Sequence, residues 1–143
     1  MTVPDVRVGL LIRRPPHDVF QAIVDPAVTT RIWYTKSTGP MTSGARLTWT
    51  WEMYGASAQV HVLEVEPDRR VRFDWGRPVE FRFVPWNGHT YLQVTEGGWG
   101  DDVAGLLDST QGFTFLLASL KALLEHGIAL GIVEDAHPAG LQL

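Results

Sequence analysis

The chain has 143 residues, 45% of them hydrophobic and 20% charged, which suits one domain with one core. A net charge of -4, with no Lys/Arg cluster beyond Arg13-Arg14 and Arg69-Arg70, argues against a nucleic-acid surface. Cysteine is absent, which excludes disulfides, thiolate catalysis and thiolate metal sites.

Val6, Val8, Leu10 and Ile12 alternate with Arg7, Gly9 and Arg13, the pattern of a strand with one buried side. Pro15 and Pro16 stop it. Val19, Phe20 and Ile23 give a short helix, with Pro16 tolerated in its first turn. A second helix starts at Asp25-Pro26, capped by Asp25, and buries Val28, Ile32 and Trp33. A Gly/Ser/Thr-rich loop is expected over 36–44. In the next strand Leu47, Trp49 and Trp51 point one way, while Arg46, Thr48, Thr50 and Glu52 point the other. Gly55 marks a turn. The strand over 59–66 has broken alternation: Val60 and Val62 share one side, His61, Leu63 and Val65 the other, and a bulge would reconcile them. After a Pro67-Asp68 turn, Val71, Phe73 and Trp75 alternate with Arg72 and Asp74. Val79, Phe81 and Phe83 then face in, and Asn87-Gly88 is a hairpin signal. On the last strand Leu92, Val94 and, by parity, Glu96 share one side.

An irregular connection follows Gly97, with one helical turn expected around Val103, Leu106 and Leu107. Over 111–128, Phe113, Leu116, Leu117, Leu120, Leu123, Leu124 and Ile128 recur at three- and four-residue steps, one side of an α-helix. Ser109 or Thr110 is the expected cap, and Gly127 the left-handed terminator. Such a helix of about 18 residues is about 27 Å long. Its apolar side needs a sheet to cover. The order of elements predicts an α+β helix-grip domain, a curved antiparallel sheet around a long C-terminal helix, with two short helices after the first strand. The core spans about residues 5–130, and 131–143 is a weakly patterned tail in the same single domain. No signal peptide and no membrane-length apolar run is expected, so a cytoplasmic protein without membrane or nucleic-acid partners is the starting point.

The pieces 16–26 (PHDVFQAIVDP), 44–51 (GARLTWTW), 62–75 (VLEVEPDRRVRFDW), 94–99 (VTEGGW) and 110–128 (TQGFTFLLASLKALLEHGI) occur in an order that resembles the SRPBCC superfamily, the START or Bet v 1-like fold. Within it the chain is similar to the branch named after the activator of the heat-shock-protein-90 ATPase. The resemblance implies a curved sheet gripping the C-terminal helix around an apolar cavity. It also implies hydrophobic small-molecule binding, with cyclases, hydrolases and co-chaperones among the relatives. It carries no universal catalytic motif, no cofactor is expected for this chain, and fold membership does not fix function.

Inward-facing Trp49, Trp51, Phe73, Trp75, Phe81 and Phe83, opposite Phe113 and Leu117, are the expected pocket lining. Taken singly each ring reads as core packing, and so does Trp33 at the end of the second helix. Taken together, so many flat rings on one curved side read as the wall of a cavity. Glu96 points towards its mouth, where a carboxylate withdrawn from water is a candidate acid, base or ligand anchor. The alternative is a strand-end carboxylate that accepts hydrogen bonds from Trp99 or the loop. His61 is a weaker acid/base candidate because the parity of its strand is open. Tyr34 and Tyr54 are expected at the entrance. No two histidines have metal-ligand spacing, so no metal site is expected. Gly97-Gly98-Trp99-Gly100 lacks the ending of a phosphate loop, and no serine sits in a hydrolase setting.

Three functions follow. The first is binding of a hydrophobic small molecule between sheet and helix. The second is a cyclase- or hydrolase-like enzyme using Glu96 or His61. The third is a co-chaperone-like interaction module, for which an exposed apolar patch is expected. A homodimer is compatible with all three.

Overall fold

A computed structural model describes residues 2–143. Strand β1 (Val6–Ile12) leads into helices α1 (Pro16–Val24) and α2 (Pro26–Thr29). Strands β2 (Lys36–Ser37), β3 (Arg46–Trp51), β4 (Ala56–Glu66), β5 (Arg70–Asp74), β6 (Pro78–Trp86) and β7 (His89–Glu96) follow. Helices α3 (Val103–His126) and α4 (Ile132–Ala136) come last. The strands make one curved antiparallel sheet in the order β1-β7-β6-β5-β4-β3-β2. Each hairpin sets its strand beside the previous one, and β1 returns to close the row against β7, with Val6 opposite Glu96 and Ile12 opposite Thr90.

Alternation decides which side of the sheet is buried. Val71 and Phe73 of β5, Val79, Phe81 and Phe83 of β6, and Leu92 and Val94 of β7 are all sealed from water. Helix α3 covers that side with Phe113, Leu116, Leu117, Leu120 and Leu123, so the architecture is the α+β helix grip. The outer side carries a lattice of exposed ion pairs around Glu64, Arg70, Arg72 and Glu80, each pair of which adds little stability. Local chemistry sets the boundaries. The Asp25 carboxylate accepts the Ala27 amide at 2.9 Å and opens α2. Asn87 and Gly88 both have positive φ, 48° and 78°, which the two-residue β6–β7 turn requires.

The bulge in β4 falls between Val62 and Glu64. It leaves Val60 and Val62 inside, returns Val65 to the core and pushes Leu63 outwards, to 41% exposure. His61 precedes it, lies between two buried valines, and so points to the outer side.

Four expectations are corrected. The long helix starts at Val103, not near Gln111, and the predicted turn and helix are one element of 24 residues. Its cap is Asp102, whose carboxylate accepts the Gly105 amide at 2.9 Å, while Thr110 is inside the helix and bonds back to the Leu106 carbonyl at 2.7 Å. The loop over 36–44 begins with the edge strand β2, paired to Trp49 and Thr50. The tail contains α4, entered through Gly131 at φ 68°. At full length α3 is long and apolar enough to cross a membrane by length and composition, although its apolar side lies on the sheet. Gly127 ends it at φ 67°, and the Ile128 amide folds back to the Ala122 carbonyl at 3.3 Å. The Ile128 side chain stays outside, 53% exposed.

Candidate functional site

Helix α2 ends at Thr29, shorter than expected, so Ile32 and Trp33 lie beyond it in a turn, and the Trp33 indole enters the space between sheet and α3. Its ring centroid lies 4.9 Å from Trp49, 6.0 Å from Phe81, 5.9 Å from Trp75 and 6.2 Å from Phe113. The ring divides the interior in two. On one side Trp49, Phe73, Phe81, Phe83 and Leu117 belong to the core, each at most 2% exposed. On the other side lies a cavity of about 460 Å³. That volume is in the range of small-molecule sites.

The cavity belongs to one end of the sheet. Trp51 ends β3, Trp75 follows β5, Arg77 precedes β6 and Glu96 ends β7. The first half of α3 closes it from above with Ser109, Gly112 and Phe113, and Val133 and Ala136 of α4 stand at its mouth. Of the residues considered for the site, Trp33, Trp51, Trp75, Glu96 and Phe113 line this cavity. Trp49, Phe73, Phe81, Phe83 and Leu117 do not. They are central in their strands or deeper along α3, beneath Trp33, and they take the core-packing role instead.

Glu96 is 2% exposed. The Trp75 indole N–H donates to its Oε2 at 2.6 Å, and the Ser109 hydroxyl donates to Oε1. The Trp99 indole donates not to the carboxylate but to the Glu96 backbone carbonyl, at 3.1 Å. Among the described residues no Lys, Arg or His forms an ion pair with Glu96. The arginine of the lining, Arg77, lays its guanidinium over the Trp99 ring at 3.8 Å.

His61 is excluded from this chemistry by its outward orientation, and it cannot act together with Glu96. Tyr34 is not at the entrance. It is 1% exposed, stacks on Trp49 at 4.6 Å and 19°, and shares a hydrogen bond with the Thr29 hydroxyl. Burial pushes its phenol above the ordinary 10.0, against the lowering effect of Thr29. Tyr54 does stand at the mouth, and its hydroxyl donates to the Val133 carbonyl, tying α4 to the turn after β3. Among the described residues no three His, Asp or Glu side chains gather as a metal site would need.

Ser109, Trp99, Arg77 and α4 were not singled out as lining. Ser109 had a signal: it is four residues before Phe113, on the same side of the helix, a lone polar residue in the apolar stripe. Arg77 and α4 had none, because only the folded sheet brings these ends together.

Many solved structures share the fold, among them the following. The protein SSP2350 from Staphylococcus saprophyticus is 29% identical with a TM-score of 0.83, covering 89% of this chain and 96% of that one. The Aha1 dimer from Colwellia psychrerythraea is 17% identical at TM-score 0.80, covering 87% and 98%. CalU16 from Micromonospora echinospora is 19% identical at 0.71, covering 94% and 85%. No curated protein matches the chain. The model of the family described as activator of Hsp90 ATPase homolog 1-like protein matches residues 13–125, and the chain belongs to that family, a branch of the SRPBCC superfamily.

Proposed function

We propose that the chain binds an apolar small molecule in the cavity at the strand ends. The observation that carries this reading is the cavity itself, about 460 Å³ with Trp33, Trp51, Trp75 and Phe113 in its wall and one buried carboxylate, Glu96. Apolar burial would supply most of the affinity, at about 25 cal/mol per Å² before the costs of association. The outward side chain of His61 leaves Glu96 as the acid/base candidate that the enzyme reading would use in this cavity. A cytoplasmic location is part of this proposal, and fractionation of expressing cells tests it.

Gly112 offers a direct test, since a Cβ there meets nothing within 4 Å and the residue lines the cavity. Gly112→Trp should fill the mouth. Naphthalene probes should quench the tryptophan fluorescence of the parent and bind the filled variant at least about tenfold more weakly. Equal binding to both proteins sinks the reading.

Self-association is a second reading, favoured by Val103 and Leu107 on the first turns of α3, 52% and 64% exposed. The Colwellia relative is described as a dimer. Sedimentation of the parent and of Leu107→Glu tests it: a dimer that the substitution dissociates supports the reading, and a monomer at all concentrations removes it.

A further inference from the structure

The ligand-binding reading leaves open what Glu96 is for, and the surroundings of its carboxylate restrict the answer. A carboxylate can accept about four hydrogen bonds. Glu96 accepts two, both from neutral donors, the Trp75 indole and the Ser109 hydroxyl. A buried carboxylate without a counter-charge is costly, and one aimed at a cavity can receive its counter-charge from a ligand. The walls favour the same sign. Trp33, Trp51 and Trp75 meet in a corner, with interplanar angles of 73°, 65° and 53°. Their centroids are 5.9 to 6.4 Å apart. Rings set at such angles cannot hide all their faces against one another, and an indole face attracts cations and repels carboxylates.

We propose that the molecule bound here carries a protonated amine, its N–H directed at Glu96 and its apolar body held among Trp33, Trp51, Trp75 and Phe113. This rests on the ligand-binding reading above. The other ionisable groups of the lining do not take the amine's place. Arg77 is half-buried and already spread over Trp99; Asp108 and His137 are exposed at the mouth, where water screens them. Arg77 does hold a buried Nε with no partner, so a ligand carboxylate paired to Arg77 is the rival chemistry.

The experiment compares three probes of one shape on the full chain by titration calorimetry at neutral pH: 2-naphthylmethylamine, 2-naphthalenemethanol and 2-naphthoate. The amine should bind about tenfold or more tighter than the alcohol, with the acid weakest. In Glu96→Gln the advantage of the amine should fall to about twofold or less, while the alcohol is unchanged. If the acid binds tightest, or the alcohol equals the amine, the amine proposal is overturned and the ligand-binding reading stands. The same follows if Glu96→Gln keeps the full advantage of the amine. If none of the three binds, both readings fall. Should Glu96→Gln not fold, the ranking on the parent protein decides alone.

Discussion

The Ser109 hydroxyl donates to the Glu96 carboxylate across the gap between α3 and the end of β7, thirteen residues earlier in the chain. With the Trp75 indole on the other oxygen, this contact joins two strand ends to the helix at a buried carboxylate of the cavity wall. The polar group is largely buried, so each donor removed leaves an acceptor that the protein no longer satisfies. Ser109→Ala should lower stability by about 1–3 kcal/mol in urea denaturation. Glu96→Gln should cost less than Glu96→Ala. The amide oxygen can still accept from Trp75, and its NH2 can donate to the Ser109 oxygen, whose hydroxyl hydrogen is free to turn away. Equal losses for the two variants would refute the paired-donor account.

Two glycines of α3 should respond in opposite directions. Gly112 is inside the helix with open space where a Cβ would stand. Gly112→Ala should therefore raise stability by about 0.5–1 kcal/mol, because the unfolded chain loses freedom. Gly127 terminates the helix at φ 67°, a conformation that penalises any Cβ. Gly127→Ala should lower stability by about 1 kcal/mol. Thermal unfolding of the two variants checks both signs together.

Much of this architecture could be read from the sequence because one side of the sheet is buried and the other wet. Alternation alone put Leu92, Val94 and Glu96 on one side, and the structure seals all three from water. Parity gives the side of a sheet but not the depth along a strand. It therefore could not separate Trp75, at the open end, from Phe73, two residues back and fully packed. That division is made by Trp33, a turn residue beyond α2 whose reach across the core depends on the tertiary fold. The start of α3 is obscured in the sequence by Ser109 and Thr110, which look like a cap when the partner of Ser109 is unknown. The side taken by His61 depended on whether the β4 bulge came before or after it, which alternation cannot tell.

Helix α4 is held over the cavity mouth by few interactions, one of them the hydrogen bond from Tyr54 to the Val133 carbonyl. None of its residues is fully buried. Tyr54→Phe should loosen this segment without weakening the core. Amide exchange over 132–136 should quicken several-fold, while exchange in β6 and β7 and the urea midpoint stay as in the parent. Uniform acceleration through the sheet would show that α4 is part of the main cooperative unit.

The far end of α3 is pinned to β1 by a charged clamp, and this makes stability depend on pH. Glu125 accepts the Arg13 amide at 2.9 Å and the Lys121 ammonium at 2.7 Å, and Lys121 also donates to the Leu11 carbonyl at 2.7 Å. Burial alone would push the Glu125 carboxyl up. The Arg13 amide and Lys121 outweigh it and hold the carboxyl below its ordinary 4.5. A carboxyl held lower in the folded than in the unfolded chain adds stability above its unfolded value. That contribution is lost as pH falls through the folded value. The parent should therefore lose stability progressively below about pH 4.5. Glu125→Gln keeps an acceptor for Arg13 but gives up the charge, so it should be less stable than the parent at pH 7 by about 1 kcal/mol. The difference between the two proteins should shrink as pH falls through that window. Urea melts of both at pH 7, 5, 4 and 3 measure this directly, and a difference that stays constant down to pH 3 would mean that Glu125 titrates alike in the folded and unfolded chains.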